Sequence, residues 1–176
     1  LIPMVLPDYQ SVENADVRSL ANVPRFFTTT IWSGAGLGNA LYRPLTSATY
    51  ALNYAVAGLD PWSYHLGNAV LHVLVAVLLL RLGLRLRLPL GGAVVAALLF
   101  AVSPVHVEAV ANVAGRKELL AAAFVLLTLL GHGRALVRGA GWLLVPPATY
   151  AAAMLSKETG IVALGLLVVT DLVLPH

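Results

Sequence analysis

The sequence predicts an all-α polytopic membrane protein, with about five transmembrane helices behind an N-terminal extracytoplasmic loop that carries interfacial helices. Three observations carry that class. Of 176 residues, 59% are hydrophobic and only 11% charged, whereas soluble domains run at about half apolar and a quarter charged. Uncharged apolar runs recur along the chain, each bounded by charge, Pro or Gly. Arginines without acidic neighbours fill alternate linkers between those runs. The runs are rich in Leu, Ala and Val without strict alternation, which favours helices over the period-two strands of a membrane barrel.

Positions 1–60 read as the first extracytoplasmic loop and 61–176 as the helix bundle. Leu1 to Pro7 lacks the basic, apolar and small-residue regions of a signal peptide, and a membrane span upstream of Leu1 is expected. Within the loop, Asp16 to Phe27 is expected to form a short interfacial helix and Ser33 to Gly38 a flexible glycine loop. The uncharged stretch 44–59, rich in Tyr, Thr and Asn, is expected as an interfacial or re-entrant helix, with a sixth crossing as the alternative. Spans are then expected near 61–80, 88–105, 117–133, 139–156 and 159–174. Several fall short of the roughly 20 residues that cross the hydrocarbon, so they must recruit flanking residues. Trp62 and Tyr64 are expected as interfacial anchors, and Pro146-Pro147 as a kink in the fourth span.

Arginine placement orients the bundle. Arg81, Arg85 and Arg87 follow the first span and Arg134 and Arg138 the third, with no acid in either linker. By the positive-inside rule those linkers face the cytoplasm. The first loop, Pro104 to Glu118 and Ser156 to Gly160 then face outward. Asp8, Glu13, Asp16, Asp60, Glu108, Glu118 and Glu158 share that outer face, and Asp171 alone lies at the inner end.

Arg116, Lys117 and Lys157 stand on the side where basic residues are unfavourable, which calls for a reason. A phosphate or pyrophosphate is one, since Arg engages it bidentately and Lys as a point charge. Local neutralisation of Lys117 by Glu118 and of Lys157 by Glu158 is the other. His106 and Glu108 share one side only if their segment is extended, and would then contact a polar ligand. Asp8 is the first carboxylate outside the membrane, placed to act as a general base or simply to form a turn. Arg43, at the start of the 44–59 stretch, is positioned to snorkel to headgroups or to contact an anionic donor. His65 and His72 lie seven apart on one helix face and are expected as buried, hydrogen-bonded histidines. The chain has no cysteine, which removes disulfides, thiolate zinc sites and thiol nucleophiles; no metal site is assigned. The bilayer, and not a nucleic acid, is the expected environment. A transporter would need ionisable residues in mid-span, and only His72 qualifies.

Four ordered segments carry a family resemblance: Tyr42-Arg43-Pro44-Leu45; Gly58 to Asn68 running into Leu71-His72; Pro104 to Val110 with Gly115 to Leu120; and Leu155-Ser156-Lys157-Glu158-Thr159-Gly160. Together they resemble the transmembrane-and-tetratricopeptide-repeat proteins, O-mannosyltransferase-like members of the GT-C glycosyltransferase superfamily, and their bacterial relatives. The resemblance implies part of a GT-C core, which transfers a mannose-like sugar from a polyprenyl-phosphate lipid to a hydroxyl acceptor on protein or glycan, on the non-cytoplasmic face. A bacterial inner membrane is preferred over the endoplasmic reticulum on the Arg-rich, Ala- and Leu-rich composition. The family's acidic pair after its first span falls at Pro7-Asp8, so Asp8 matches the second acid and Pro7 replaces the first. On that reading Asp8 is the base, Arg116, Lys117 and Lys157 bind the donor phosphate, and His106 with Glu108 shapes the sugar or acceptor pocket, with Arg43 and Glu158 beside them. An inactive membrane scaffold of the same fold is the alternative implied by Pro7.

Overall fold

The computed structural model describes residues 14–31 and 41–173, and among these every regular element is helical. Val23–Phe26 (α1), Pro44–Ala57 (α2), Pro61–Arg85 (α3), Leu90–Val102 (α4), Val107–Ala111 (α5), Arg116–Arg138 (α6), Val145–Ser156 (α7) and Val162–Val173 (α8) follow in order, with short 3-10 turns between several of them. Asp8, Pro7 and the Ser33 to Gly38 loop lie outside the described residues.

α3 and α6 form the long pair. Their 25 and 23 residues extend about 37 and 34 Å at 1.5 Å per residue, enough to cross ~30 Å of hydrocarbon. Both are apolar enough to span, and α4 with the Pro104–Ala111 segment makes a third span if that pair, bent by 47°, is one unit. α7 and α8 have 12 residues each and reach only about 18 Å on their own. The protein is therefore an all-α integral membrane protein. Its outer surface agrees with that environment: Leu98, Leu99 and Val102 of α4 and Val168, Val169 and Leu172 of α8 are all more than half exposed, a liability in water but not in hydrocarbon.

Local chemistry sets the helix boundaries. Between α2 and α3, Gly58 takes a positive φ of 58°, the Asp60 carboxylate accepts the Trp62 N–H at 3.3 Å, and Pro61 opens α3 where its missing N–H costs nothing. After α3, the Arg87 and Leu88 N–H groups donate to the Leu84 and Gly83 carbonyls, each at 3.1 Å, closing a Schellman turn. The left-handed residue of that turn is Arg87 at φ 63°, not a glycine. Pro146 and Pro147 occupy the first turn of α7. They start that helix instead of kinking it, because first-turn residues need no intrahelical N–H partner. The Asp16 to Phe27 stretch is likewise three short turns instead of one helix, interrupted by extended Ser19.

Two apolar clusters hold the bundle. Val17, Phe26, Tyr50, Ala51, Tyr64 and Val113 pack the N-terminal turns and α2 onto the start of α3. Val75, Leu78, Ala123 and Leu130 join α3 to α6 further down. Buried alanines such as Ala93, Ala121, Ala123, Ala153 and Ala163 let the helices approach closely. Near the far end of α6, His132 pairs with Asp171 of α8 at 2.9 Å, so the one acid expected at the inner end is spent on holding α8. Tyr64 is fully buried, with its hydroxyl donating to the Gly58 carbonyl at 2.8 Å; it is a core residue and not the interfacial anchor expected from its flank, while Trp62 stays 59% exposed.

An L-residue at the left-handed position costs roughly 1 kcal/mol, so Arg87→Gly is expected to raise stability by about that amount. Chemical unfolding in detergent would check this, and an unchanged or lowered midpoint would show that Arg87 carries compensating contacts.

Candidate functional site

Arg116 opens α6 and is only 2% exposed. Its Nε donates to Asn68 Oδ1 at 2.9 Å, Nη2 to the Tyr64 carbonyl at 3.0 Å and Nη1 to the Thr49 carbonyl at 3.3 Å. Its guanidinium carbon lies 5.0 Å from the Tyr50 ring centroid and 5.6 Å from that of Tyr64, the range of a cation–π contact. Every partner is neutral and comes from α2 or α3. Asn68 is itself buried and donates to the Asn112 carbonyl at 2.9 Å, while Tyr50 Oη donates to the Val113 carbonyl at 2.9 Å. The turn before α6 is thus tied to both helices. Gly67 makes room for this: a Cβ there would lie 2.9 Å from Arg116 Nη2.

Successive residues on a helix point about 100° apart, so Lys117 and Glu118 leave Arg116 in different directions. Glu118 receives Lys157, whose Nζ is 2.6 Å from Oε2. Glu158, next to Lys157, instead accepts Arg43, with Nη2 at 2.8 Å and Nε at 3.2 Å. Both ion pairs cross between elements, where the sequence suggested that neighbours neutralise each other. The Arg43 side chain is 9% exposed and that of Glu158 60%, and the Arg43 hydrogen bond holds the Glu158 carboxyl below its ordinary value. Lys117 sits in the electrostatic field of all four of these groups, yet among the described residues its ammonium has no hydrogen bond or ion pair. It lines a cavity of about 250 Å³ with Glu108, Asn112 and Glu118.

Of the residues singled out in the sequence, Arg43, Lys117, Glu118, Lys157 and Glu158 therefore converge. His106 does not join them. The segment is helical, with His106 ending a 3-10 turn and Glu108 in α5, so their side chains diverge. His106 packs 4.1 Å from Phe100 and 5.6 Å from His72 between ring centroids, and Glu108 alone lines the Lys117 cavity. His72 Nε2 is 3.1 Å from the Ala101 carbonyl, as expected of a buried histidine, whereas both ring nitrogens of His65 are buried without a partner among the described residues. Asn68, Tyr50 and Tyr64 were not singled out; a polar side chain inside an apolar run was the available signal for Asn68. A second, larger cleft of about 580 Å³ runs between α2 and α3, walled by residues such as Leu52, Val56, Leu66 and Val70, and reaches Arg116.

An integral membrane helix bundle that gathers cations and carboxylates at one end is the class this geometry defines. Residues 43–174 match the family described as dolichyl-phosphate-mannose-protein mannosyltransferase. The chain is 36% identical to Protein O-mannosyl-transferase TMTC3 of Homo sapiens over 162 residues, 88% of this chain and 18% of that protein. It is 38% identical to Protein O-mannosyl-transferase TMTC1 of Homo sapiens over 181 residues, 92% of this chain and 20% of that protein, and 38% identical to the mouse TMTC2 protein over 141 residues, 77% and 17%. The chain belongs to this O-mannosyltransferase family of the GT-C type and spans about a fifth of the length of these relatives. They are mammalian, so the expected preference for a bacterial inner membrane finds no support in them. No solved structure matches.

Two outcomes follow. Gly67→Ala forces a methyl against the Arg116 guanidinium and is expected to destabilise by roughly 1–3 kcal/mol, read as a lower unfolding midpoint; an unshifted midpoint would mean that Arg116 is not fixed there. Because the Glu158 carboxyl lies below its ordinary value when folded, its pair with Arg43 contributes stability at pH 5 and above and loses it as pH falls through that lowered value. The difference in melting temperature between wild type and Glu158→Gln should hold from pH 8 to 5 and close in more acid solution.

Proposed function

We propose that this chain is the membrane core of a glycosyltransferase that moves a mannose-like sugar from a polyprenyl-phosphate lipid to a hydroxyl on a protein or glycan acceptor, on the non-cytoplasmic side. Membership of the mannosyltransferase family supports the chemistry, and its relatives among the protein O-mannosyl-transferases support a protein acceptor. The observation that carries the reading is Lys117. Two of its neighbouring cations, Arg43 and Lys157, are cancelled by carboxylates, whereas Lys117 has no ion-pair partner among the described residues and lines a cavity with Glu108 and Asn112.

As the glycosidic bond to the lipid phosphate breaks, negative charge grows on the departing phosphate oxygens. A preset ammonium stabilises that charge more than it stabilises the bound donor, which lowers the barrier. Glu108, on the same cavity wall, is placed to accept a hydrogen bond from a sugar or acceptor hydroxyl. Arg116 acts differently from the sequence expectation: three of its five N–H donors, one on each nitrogen, go to protein oxygens, so it positions Lys117 and contributes a longer-range positive potential. The apolar cleft beside α2 and α3 suits the lipid's hydrocarbon. Asp8 remains the proposed base. The arginine linkers support an orientation with this end outward, with α7 and α8 crossing with help from their flanks to complete five spans.

Lys117→Ala in the full-length protein is expected to lower kcat/KM for sugar transfer by about 10²-fold or more without lowering the unfolding midpoint. Unchanged transfer would remove Lys117 from the donor site. The scaffold alternative, favoured by Pro7, predicts no transfer and no donor binding even after Pro7→Asp.

A further inference from the structure

The opposite end of the long helix pair carries a second charged site. Arg81 and Arg85 of α3 and Arg134 of α6 line one cavity of about 200 Å³, whose remaining walls are Leu84 and Leu130. None of the three guanidinium groups has an ion pair among the described residues. Arg134 packs 5.3 Å from the Trp142 ring centroid, a partner that fixes the group without cancelling its charge. Arg85 lies so close over Gly133 that any Cβ there would overlap its guanidinium. Asp171, which shares a neighbouring cleft with Arg85, is bound to His132, and the linkers 81–90 and 131–140 contain no acid. Three like charges facing one small cavity repel one another, so the arrangement calls for an anion.

The walls define which anion. Arg116 and Arg134 are eighteen residues apart on α6, about 27 Å along its axis, which puts the cavity at the membrane boundary opposite the Lys117 site. Leu84 on its rim is 42% exposed, offering an apolar surface toward the hydrocarbon directly beside the guanidinium groups. An anionic head above an apolar tail fits both features, whereas a free ion uses only one. We propose that Arg81, Arg85 and Arg134 form a binding site for the phosphate headgroup of an anionic phospholipid, with the acyl chains along Leu84. Basic pockets between membrane helices are suited to such headgroups, and planar guanidinium groups engage phosphate oxygens bidentately. The bound lipid bridges α3 to α6 at the end where the polar ties of Arg116 do not reach.

The test uses the full-length protein in a neutral detergent, titrated with dioctanoyl phosphatidylserine, dioctanoyl phosphatidylcholine or inorganic phosphate, with the melting temperature and binding isotherm as readouts. Phosphatidylserine should bind saturably and raise the melting temperature, phosphatidylcholine at least tenfold more weakly. Arg81→Ala/Arg134→Ala should weaken phosphatidylserine binding at least tenfold, whereas Arg138→Ala, outside the cavity, should change it less than twofold. Arg81→Lys/Arg134→Lys keeps the charge and the packing stems, so its loss of affinity is read even if the alanine pair folds poorly. Equal binding by the double variants, an equal loss in Arg138→Ala, or inorganic phosphate competing at the same concentration as the lipid would each overturn the assignment. No sugar-transfer measurement enters, so the result stands apart from the glycosyltransferase reading.

Discussion

The arrangement of this bundle depends on where the Arg116 guanidinium is held. A buried charge without a counter-ion is among the most costly groups a protein can contain, unless oriented dipoles replace the lost water. Here an amide oxygen, two backbone carbonyls and two tyrosine faces supply that replacement, drawn from two helices that meet at the Gly58 turn. The Thr49 and Tyr64 carbonyls are engaged together only if α2 folds back beside α3, and Nη2 fits against α3 only because Gly67 leaves space. The guanidinium thus constrains α2, α3 and α6 together. It also fixes the rotation of α6, and that rotation decides where the next two side chains go.

From that rotation the charge pattern at this end follows. Lys117 turns into the polar cavity and Glu118 turns toward Lys157, and Arg43 takes Glu158 across more than a hundred residues of chain. The two ion pairs join α2, α6 and the turn before α8, so a change in one alters the field at Lys117 as well as the packing. Exposed pairs are worth little individually. Their value here is positional: cancelling Arg43 and Lys157 concentrates the available positive charge on one ammonium.

How much of this was legible in the sequence divides along a physical line. Hydropathy is additive over residues, so the membrane class and the long apolar runs at α3 and α6 could be read directly. The gathering of Arg43, Glu118, Lys157 and Glu158 at one end followed from counting spans and arginines. Partner choice was not legible, because it depends on helix phase. Residues one apart on a helix do not face each other, which is why Lys117 does not pair with Glu118, and residues two apart diverge, which separated His106 from Glu108. Tyr64 and Pro146 misled for a related reason: an aromatic near a span end and a proline in an apolar run each have two uses, and only the three-dimensional context chooses. Asp8 was readable as a candidate by resemblance alone.

The two ends of the long helix pair solve the same electrostatic problem in opposite ways. At the Lys117 end, carboxylates contributed by distant segments neutralise Arg43 and Lys157, and the buried Arg116 is solvated by protein dipoles. At the Arg81, Arg85 and Arg134 end the described residues offer no such internal supply: Asp171 holds α8 through His132, and the aromatic partner of Arg134 carries no charge. Charge that the protein does not balance must be balanced by its surroundings, and at a membrane boundary those surroundings include lipid headgroups as well as salt. On the functions proposed for them, the first end presents the Lys117 charge to a reacting group and the second borrows its counter-ions from the bilayer, so the membrane supplies part of the electrostatics that holds α3 against α6.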